Sequence, residues 1–149
     1  MKTKWDEQKP LLEDVREVLS EAVESYFEAG DEAFRRKIPW KELHQFRLAS
    51  KRFRYTLELF REFYGRTLDA HLKELKKIQT YLGDINDLIA TRALLKGHAE
   101  FKKELRREAR EQMKHLRKHW KDDFSAEGRK EAWLATIAGP KLSSGRRTR

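Results

Sequence analysis

Apolar positions recur at helical spacing through almost the whole chain. Leu11, Val15, Val18, Ala22 and Tyr26 follow Pro10 at steps of three and four, while Glu13, Asp14, Glu17, Glu21, Glu24 and Glu28 take the solvent side. That pattern predicts an amphipathic helix opened by Pro10 and closed by Gly30. Lys37, Ile38 and Pro39 form a break, and Pro39 opens a second helix that runs to about Tyr64 and stops at Gly65. Thr67 is placed to cap a third helix with Leu68, Leu72, Leu75, Ile78 and Leu82 as its buried stripe. Gly83 is expected to interrupt it, with Asp84 capping a fourth segment that carries Ile85, Leu88, Ile89 and Leu95. Gly97 marks the next turn. A fifth helix, about Ala99 to Trp120, places Phe101, Leu105, Ala109, Leu116 and Trp120 on one side, and a shorter helix after Ser125 uses Trp133, Leu134 and Ile137.

Period-two alternation is short-lived everywhere, so the expected class is all-α: an antiparallel bundle of about five to six helices with short connections. No internal repeat is evident. Residues 1–139 are expected to form one helical domain. Residues 140–149, PKLSSGRRTR, read as a basic, flexible tail.

The second helix changes the picture from fold to function. In Trp40–Tyr64, WKELHQFRLASKRFRYTLELFREFY, the residues His44, Arg47, Lys51, Arg54 and Arg61 share one narrow arc at 100° per residue. Phe46, Phe53, Leu57 and Phe60 share another, suited to a core. Leu48, Tyr55 and Leu59 make a third, apolar strip, so the helix is expected to pack on two sides with cations emerging along a seam. Charges in such a seam are partly desolvated and need an anionic ligand or a carboxylate such as Asp84 or Asp87. Glu58 sits on the same arc and weakens it toward its end. The fifth helix adds a second basic face: Lys103, Arg106, Arg107, Arg110, Lys114, Arg117, Lys118 and Lys121 fall within about a third of the circumference, and their mutual repulsion destabilises the free helix.

Charge is segregated along the chain. Residues 1–40 hold 7 Lys/Arg against 10 Asp/Glu, the remainder holds 27 against 15, and the net is +9 over 149 residues. An excess of that kind implies an acidic partner. Cysteine is absent, which excludes disulfides and thiolate metal sites. No apolar run is long enough to span a membrane, and the first ten residues lack the apolar region of a secretory signal, so a cytoplasmic protein is expected.

Catalytic constellations are sparse. His44 suits a polyanion contact or a structural hydrogen bond better than general-base or metal chemistry, because no second histidine stands at ligand spacing nearby. Asp84 and Asp87, three apart, could hold one metal ion, but capping and pairing with arginines account for them more simply. Phosphate-binding glycine loops, dinucleotide fingerprints and nucleophile elbows are missing.

Two strings resemble the signatures of CHAD domains, histidine-containing α-helical domains. The first is Leu43-His44-Gln45-Phe46-Arg47 followed by Lys51-Arg52-Phe53-Arg54-Tyr55-Thr56-Leu57-Glu58-Leu59. The second is Leu72 to Asp87, LKELKKIQTYLGDIND. The resemblance covers roughly residues 40–95. It implies a non-catalytic helical scaffold that binds inorganic polyphosphate through a basic surface, without a cofactor or metal, in the cytoplasm and on polyphosphate granules. By motif position it implicates His44, Arg47, Lys51, Arg52 and Arg54, then Lys73, Lys76 and Lys77. The fifth helix adds Arg106, Arg110 and Lys114 as further candidates. Asp87 is expected to be structural.

The family's usual domain has two related halves about a pseudo-twofold axis, whereas this chain carries one set, similar to the second half. A homodimer that rebuilds the symmetry is therefore expected, with Leu48, Tyr55 and Leu59 as one contact. Two alternatives compete. A nucleic-acid-binding protein is allowed by the charge, but exposed stacking aromatics and a readout motif are wanting. A metal-dependent phosphoanhydride hydrolase would depend on Asp84, Asp87 and Glu58 beside the seam.

Overall fold

The computed structural model describes the backbone of residues 4–139 and the side chains of residues 11–139; the tail expected at 140–149 lies outside the described residues. Five α-helices follow in order: α1 (Lys4–Phe34), α2 (Trp40–Leu59), α3 (Asp69–Leu94), α4 (Ala99–His119) and α5 (Arg129–Ala138). The described residues contain no strand, and the all-α bundle is as expected. α2 packs between α1 and α3, α4 lies along α3, and α5 lies on α1.

Several boundaries differ from the sequence reading. α1 begins at Lys4, so Pro10 lies inside the helix and does not open it. It also runs through Gly30 to Phe34, so Gly30 does not close it. The reason is packing. A β-carbon built on Gly30 would overlap the Cζ2, Cη2 and Cε2 carbons of Trp120, so the glycine lets the indole lie on the helix backbone. α3 likewise continues through Gly83 and Asp84 without a break. A lone helical glycine costs about 1 kcal/mol, and the fully buried Ile78, Leu82 and Ile85 around it outweigh that. Thr67 does not cap α3; its hydroxyl donates to the Tyr64 carbonyl at 2.6 Å, inside two short 3₁₀ turns (Arg61–Phe63 and Gly65–Leu68) that join α2 to α3.

The core is aromatic and is assembled from distant stretches. Tyr26 stacks on Phe46 and Phe53 with centroids 5.1 and 4.5 Å apart. Trp120 stacks on Phe124 at 4.8 Å and meets Phe27, Phe34 and Phe46. Its indole N–H donates to Asp31 Oδ1 at 2.9 Å. These two rings stand on a π turn, Trp120–Phe124, which extends α4 and is closed by Ser125: both its amide and its hydroxyl donate to the Trp120 carbonyl. Gly128, in the left-handed region at φ +89°, then turns the chain into α5. Burial pushes the Tyr26 phenol far above its ordinary range, and its hydroxyl is bonded to Ser50 Oγ at 2.7 Å, which in turn donates to the Phe46 carbonyl.

α5 is held from both ends. The Tyr64 hydroxyl donates to the Ile137 carbonyl at 3.0 Å, and Arg129 Nη1 alone donates to both carboxylate oxygens of Glu74 at 2.9 and 3.1 Å. His71 packs on Trp133 with centroids 4.5 Å apart and bonds Thr136 Oγ1 at 3.0 Å. Burial holds its pKa below the ordinary 6.5, with Glu74 opposing and Arg129 assisting. The unfolded chain therefore binds this proton more readily than the folded one. The contribution is complete above about pH 6.5 and is lost as pH falls through the lowered folded value. Denaturant melts from pH 7.5 downward should show stability declining below about pH 6.5. The decline should be shallower in His71→Gln; an unchanged profile would assign the acid loss elsewhere.

Candidate polyanion-binding surface

α2 sits where it does because Leu43, Phe46, Ser50, Phe53 and Leu57, at steps of three and four, are buried against α1 and α3. The cations occupy the flank of that buried face. Arg47, Lys51 and Arg54 are each half-buried. With about 1.5 Å of rise per residue, they stand about 6 and 4.5 Å apart along the axis. Arg54 Nη1 donates to Gln79 Oε1 of α3 at 3.3 Å, which shows that the stripe borders α3. On α3, Lys76, Gln79, Gly83 and Asn86 recur at three and four and so share a face. Gly83 has open space where a side chain would stand. Extending the antiparallel register from Arg54–Gln79 brings Lys51 level with the Leu82–Gly83 step and Arg47 level with Asn86. The seam between α2 and α3, called the groove below, therefore has the α2 cations along one side and, at Gly83, no side chain on the other.

The partners of these cations are uneven. Arg54 is engaged, with Nε donating to Glu58 at 2.9 Å beside its bond to Gln79. Arg47 and Lys51 make no ion pair among the described residues. Half-burial without a carboxylate partner raises the cost of each of these two charges. His44 packs its ring on Trp40 at 5.7 Å, and its Nδ1 is buried with no hydrogen-bond partner among the described residues.

Other expectations separate here. Arg61 leaves the stripe: it lies in the 3₁₀ turn after α2 and forks onto Asp69 at 2.7 and 2.9 Å, which holds the Asp69 carboxyl below its usual range. Asp84 and Asp87 are exposed and pair with no arginine among the described residues; Glu58 and Gln79 meet Arg54 in their place. Arg52 is exposed and, one residue from Lys51, turns about 100° off the stripe. Lys76 borders the groove, while Lys73 and Lys77 lie on the outer face of α3. α2 is not packed on two sides. Tyr55 and Leu59 are 64% and 72% exposed, and Leu48 is half-buried.

Arg106, Arg110 and Lys114 of α4 are exposed and make no ion pair among the described residues, whereas Arg107 pairs with Glu104 and Lys118 with Asp122. They belong to a different surface. α4 meets α3 through His119 on Tyr81, 5.5 Å between centroids, and Tyr81 lies on the flank of α3 opposite Gln79. The groove and the α4 face are therefore separated by the body of α3. The α4 stripe also starts later than expected, since Phe101 is 52% exposed and Leu105 half-buried.

Sequence reasoning missed Gln79 as the bridge and Gly83 as an opening. The period-seven recurrence of Lys76, Gly83 and, with Gln79, Asn86 was the available signal. Among the described residues, no group of three or more His, Asp or Glu side chains is placed to hold a metal ion. No described helix is long and apolar enough to cross a membrane.

The family model for the CHAD domain matches residues 2–96, well over half of the 149 residues. No curated protein and no solved structure matches the chain.

Proposed function

The chain belongs to the CHAD domain family, and from that premise we propose that it is a non-catalytic module that binds inorganic polyphosphate along the groove between α2 and α3. The observation that carries the reading is the pair Arg47 and Lys51, half-buried at the groove and without a carboxylate partner among the described residues. Phosphates following one another along a chain would meet Arg47, Lys51 and the free face of Arg54, with Lys76 at the rim. Guanidinium forks suit phosphate oxygens, and each contact displaces counterions condensed on the polymer. The buried Nδ1 of His44 is left for a structural water or the polymer's edge. Arg106, Arg110 and Lys114 would engage only a chain long enough to pass around α3, with Arg52, Lys73 and Lys77 as outlying contacts. The proposed setting is the cytoplasm, at polyphosphate granules.

The test is a titration with long polyphosphate at several salt concentrations. Three to four phosphate contacts predict a loss of roughly 20- to 150-fold in affinity between about 50 and 200 mM salt. Affinity insensitive to salt would remove the counterion mechanism. Nucleic acid of matched charge should compete poorly, because Tyr55 offers a single exposed ring beside the stripe rather than a row of stacking platforms. Stronger binding to nucleic acid would favour that alternative, and phosphate release on adding magnesium would favour a hydrolase.

The same reading includes a second copy of the chain on the strip Leu48, Tyr55 and Leu59, which restores the two-half arrangement of the family. Tyr55 and Leu59 are large, exposed and adjacent to the cations. Sedimentation should show a dimer at micromolar concentration that Leu59→Glu dissociates; a stable wild-type monomer would leave the groove to act alone.

A further inference from the structure

A second cationic site stands at the turn between α3 and α4, remote from the α2 stripe. Gly97, in the left-handed region at φ +74°, folds the end of α3 back on the start of α4. Between them is a cleft of about 330 Å³, lined by Arg92, Gly97, His98, Lys102, Lys103 and Arg106 together with Ala99. That volume lies at the low end of the range of about 300–1,000 Å³ typical of small-ligand sites. The lining includes four permanent cations and a histidine, and no carboxylate among the described residues. None of these five groups makes an ion pair among the described residues. Arg92 Nε is shielded from solvent and has no hydrogen-bond partner there either.

Helix electrostatics account for one of these cations and not for the others. Arg92 stands in the last turn of α3, where a positive charge is favoured. Lys102, Lys103 and Arg106 lie past the first turn of α4, where the macrodipole does nothing to favour a positive charge. The first-turn amides of α4 receive no side-chain cap from His98 and border the same cleft. An anion in the cleft would answer these groups together: it would pair the lysines and arginines, satisfy Arg92 Nε and accept from the free amides.

The geometry points to a built site for a compact oligophosphate, a triphosphate group whose four or so negative charges match Arg92, Lys102, Lys103 and Arg106. Such a group is supplied either as a free short phosphate chain or as the tail of a nucleotide. The site is independent of the groove reading, because α3 stands between the cleft and the face carrying Gln79.

Calorimetry on the full chain at about 0.15 M salt, with sodium tripolyphosphate and separately with a nucleoside triphosphate, tests the assignment. Lys102→Glu/Arg106→Glu and the control pair Arg66→Glu/Lys121→Glu, exposed cations with no part in the cleft or the groove, change the net charge equally, and a thermal melt checks that each is folded; Lys103→Gln is the milder cleft variant. The cleft pair should lose at least about tenfold in tripolyphosphate affinity, with a smaller loss in Lys103→Gln, while the control pair stays close to wild type. Binding of both ligands, or of tripolyphosphate alone, supports the site and distinguishes its two sources. Equal losses in the two pairs would reduce the effect to net charge and overturn the site. Binding of the nucleotide alone would mean that a base is read, and no cleft-dependent binding would also overturn it. Failure of the groove reading appears separately, as long-polymer binding indifferent to Arg47 and Lys51.

Discussion

Gly30→Ala is expected to cost about 3 kcal/mol or more, at or above the upper end of overpacking penalties, and to lower the melting temperature by roughly 6–12 °C for a chain of this size. Alanine is ordinarily the better helix former by about 1 kcal/mol, so the predicted sign opposes propensity. The new methyl would overlap three carbons of the Trp120 indole. That ring has little freedom to retreat: Phe124 stacks on it, Phe27, Phe34 and Phe46 surround it, and Asp31 accepts from its N–H. Gly83→Ala is the internal comparison, since nothing stands within 4 Å of the added carbon. It should be neutral or stabilise by about 0.4–1 kcal/mol. Denaturant unfolding of the two variants side by side checks the contrast, and equal behaviour would show that the indole relaxes freely.

The second large effect is on binding. Arg47→Glu/Lys51→Glu should weaken long-polyphosphate affinity by about 100-fold or more, because hydrogen bonds to charged groups contribute about 1.5–3 kcal/mol each and the new carboxylates repel the ligand. The same variant should lower the salt slope by about two contacts' worth. Folding should survive, since both cations make no ion pair among the described residues and removing them relieves repulsion. Arg54→Glu would be a poorer probe. It breaks the bonds to Glu58 and Gln79 and so mixes binding with packing of α2 on α3. An Arg47→Glu/Lys51→Glu protein that binds as wild type does would place the polymer elsewhere.

The helical class, a bundle of about five to six helices and most of the buried stripe were legible in the chain, because apolar residues at three and four leave few alternatives to a bundle. The arc of His44, Arg47, Lys51 and Arg54 was legible for the same reason. The errors fall where tertiary packing decides. Gly30 and Gly83 read as breaks, yet one accommodates an indole, a role with no local signal, and the other leaves open space on the α3 face that carries Lys76 and Gln79. Thr67 read as a cap because its type favours that position, but the 3₁₀ turns gave its hydroxyl a nearer acceptor at Tyr64. The cations of α2 and α4 read as parallel candidates for one ligand; only the placement of α3 between them separates the two surfaces. The cleft at Gly97 was invisible because its cations come from two helices whose approach the sequence does not specify.

The aromatic cluster has a consequence for biosynthesis. Tyr26, Phe34 and Phe46 are made early, whereas Trp120, Phe124 and Trp133, which complete their cluster, are among the last described residues to be made. A nascent chain that has just released the stretch matched by the family carries half of an interior and nothing to close it. Vectorial folding of a stable N-terminal intermediate is therefore disfavoured, and the closing step waits until the π turn and α5 have left the ribosome. Fragments ending near residue 96 should need a holdase to stay dispersed, even though they carry the whole of the groove.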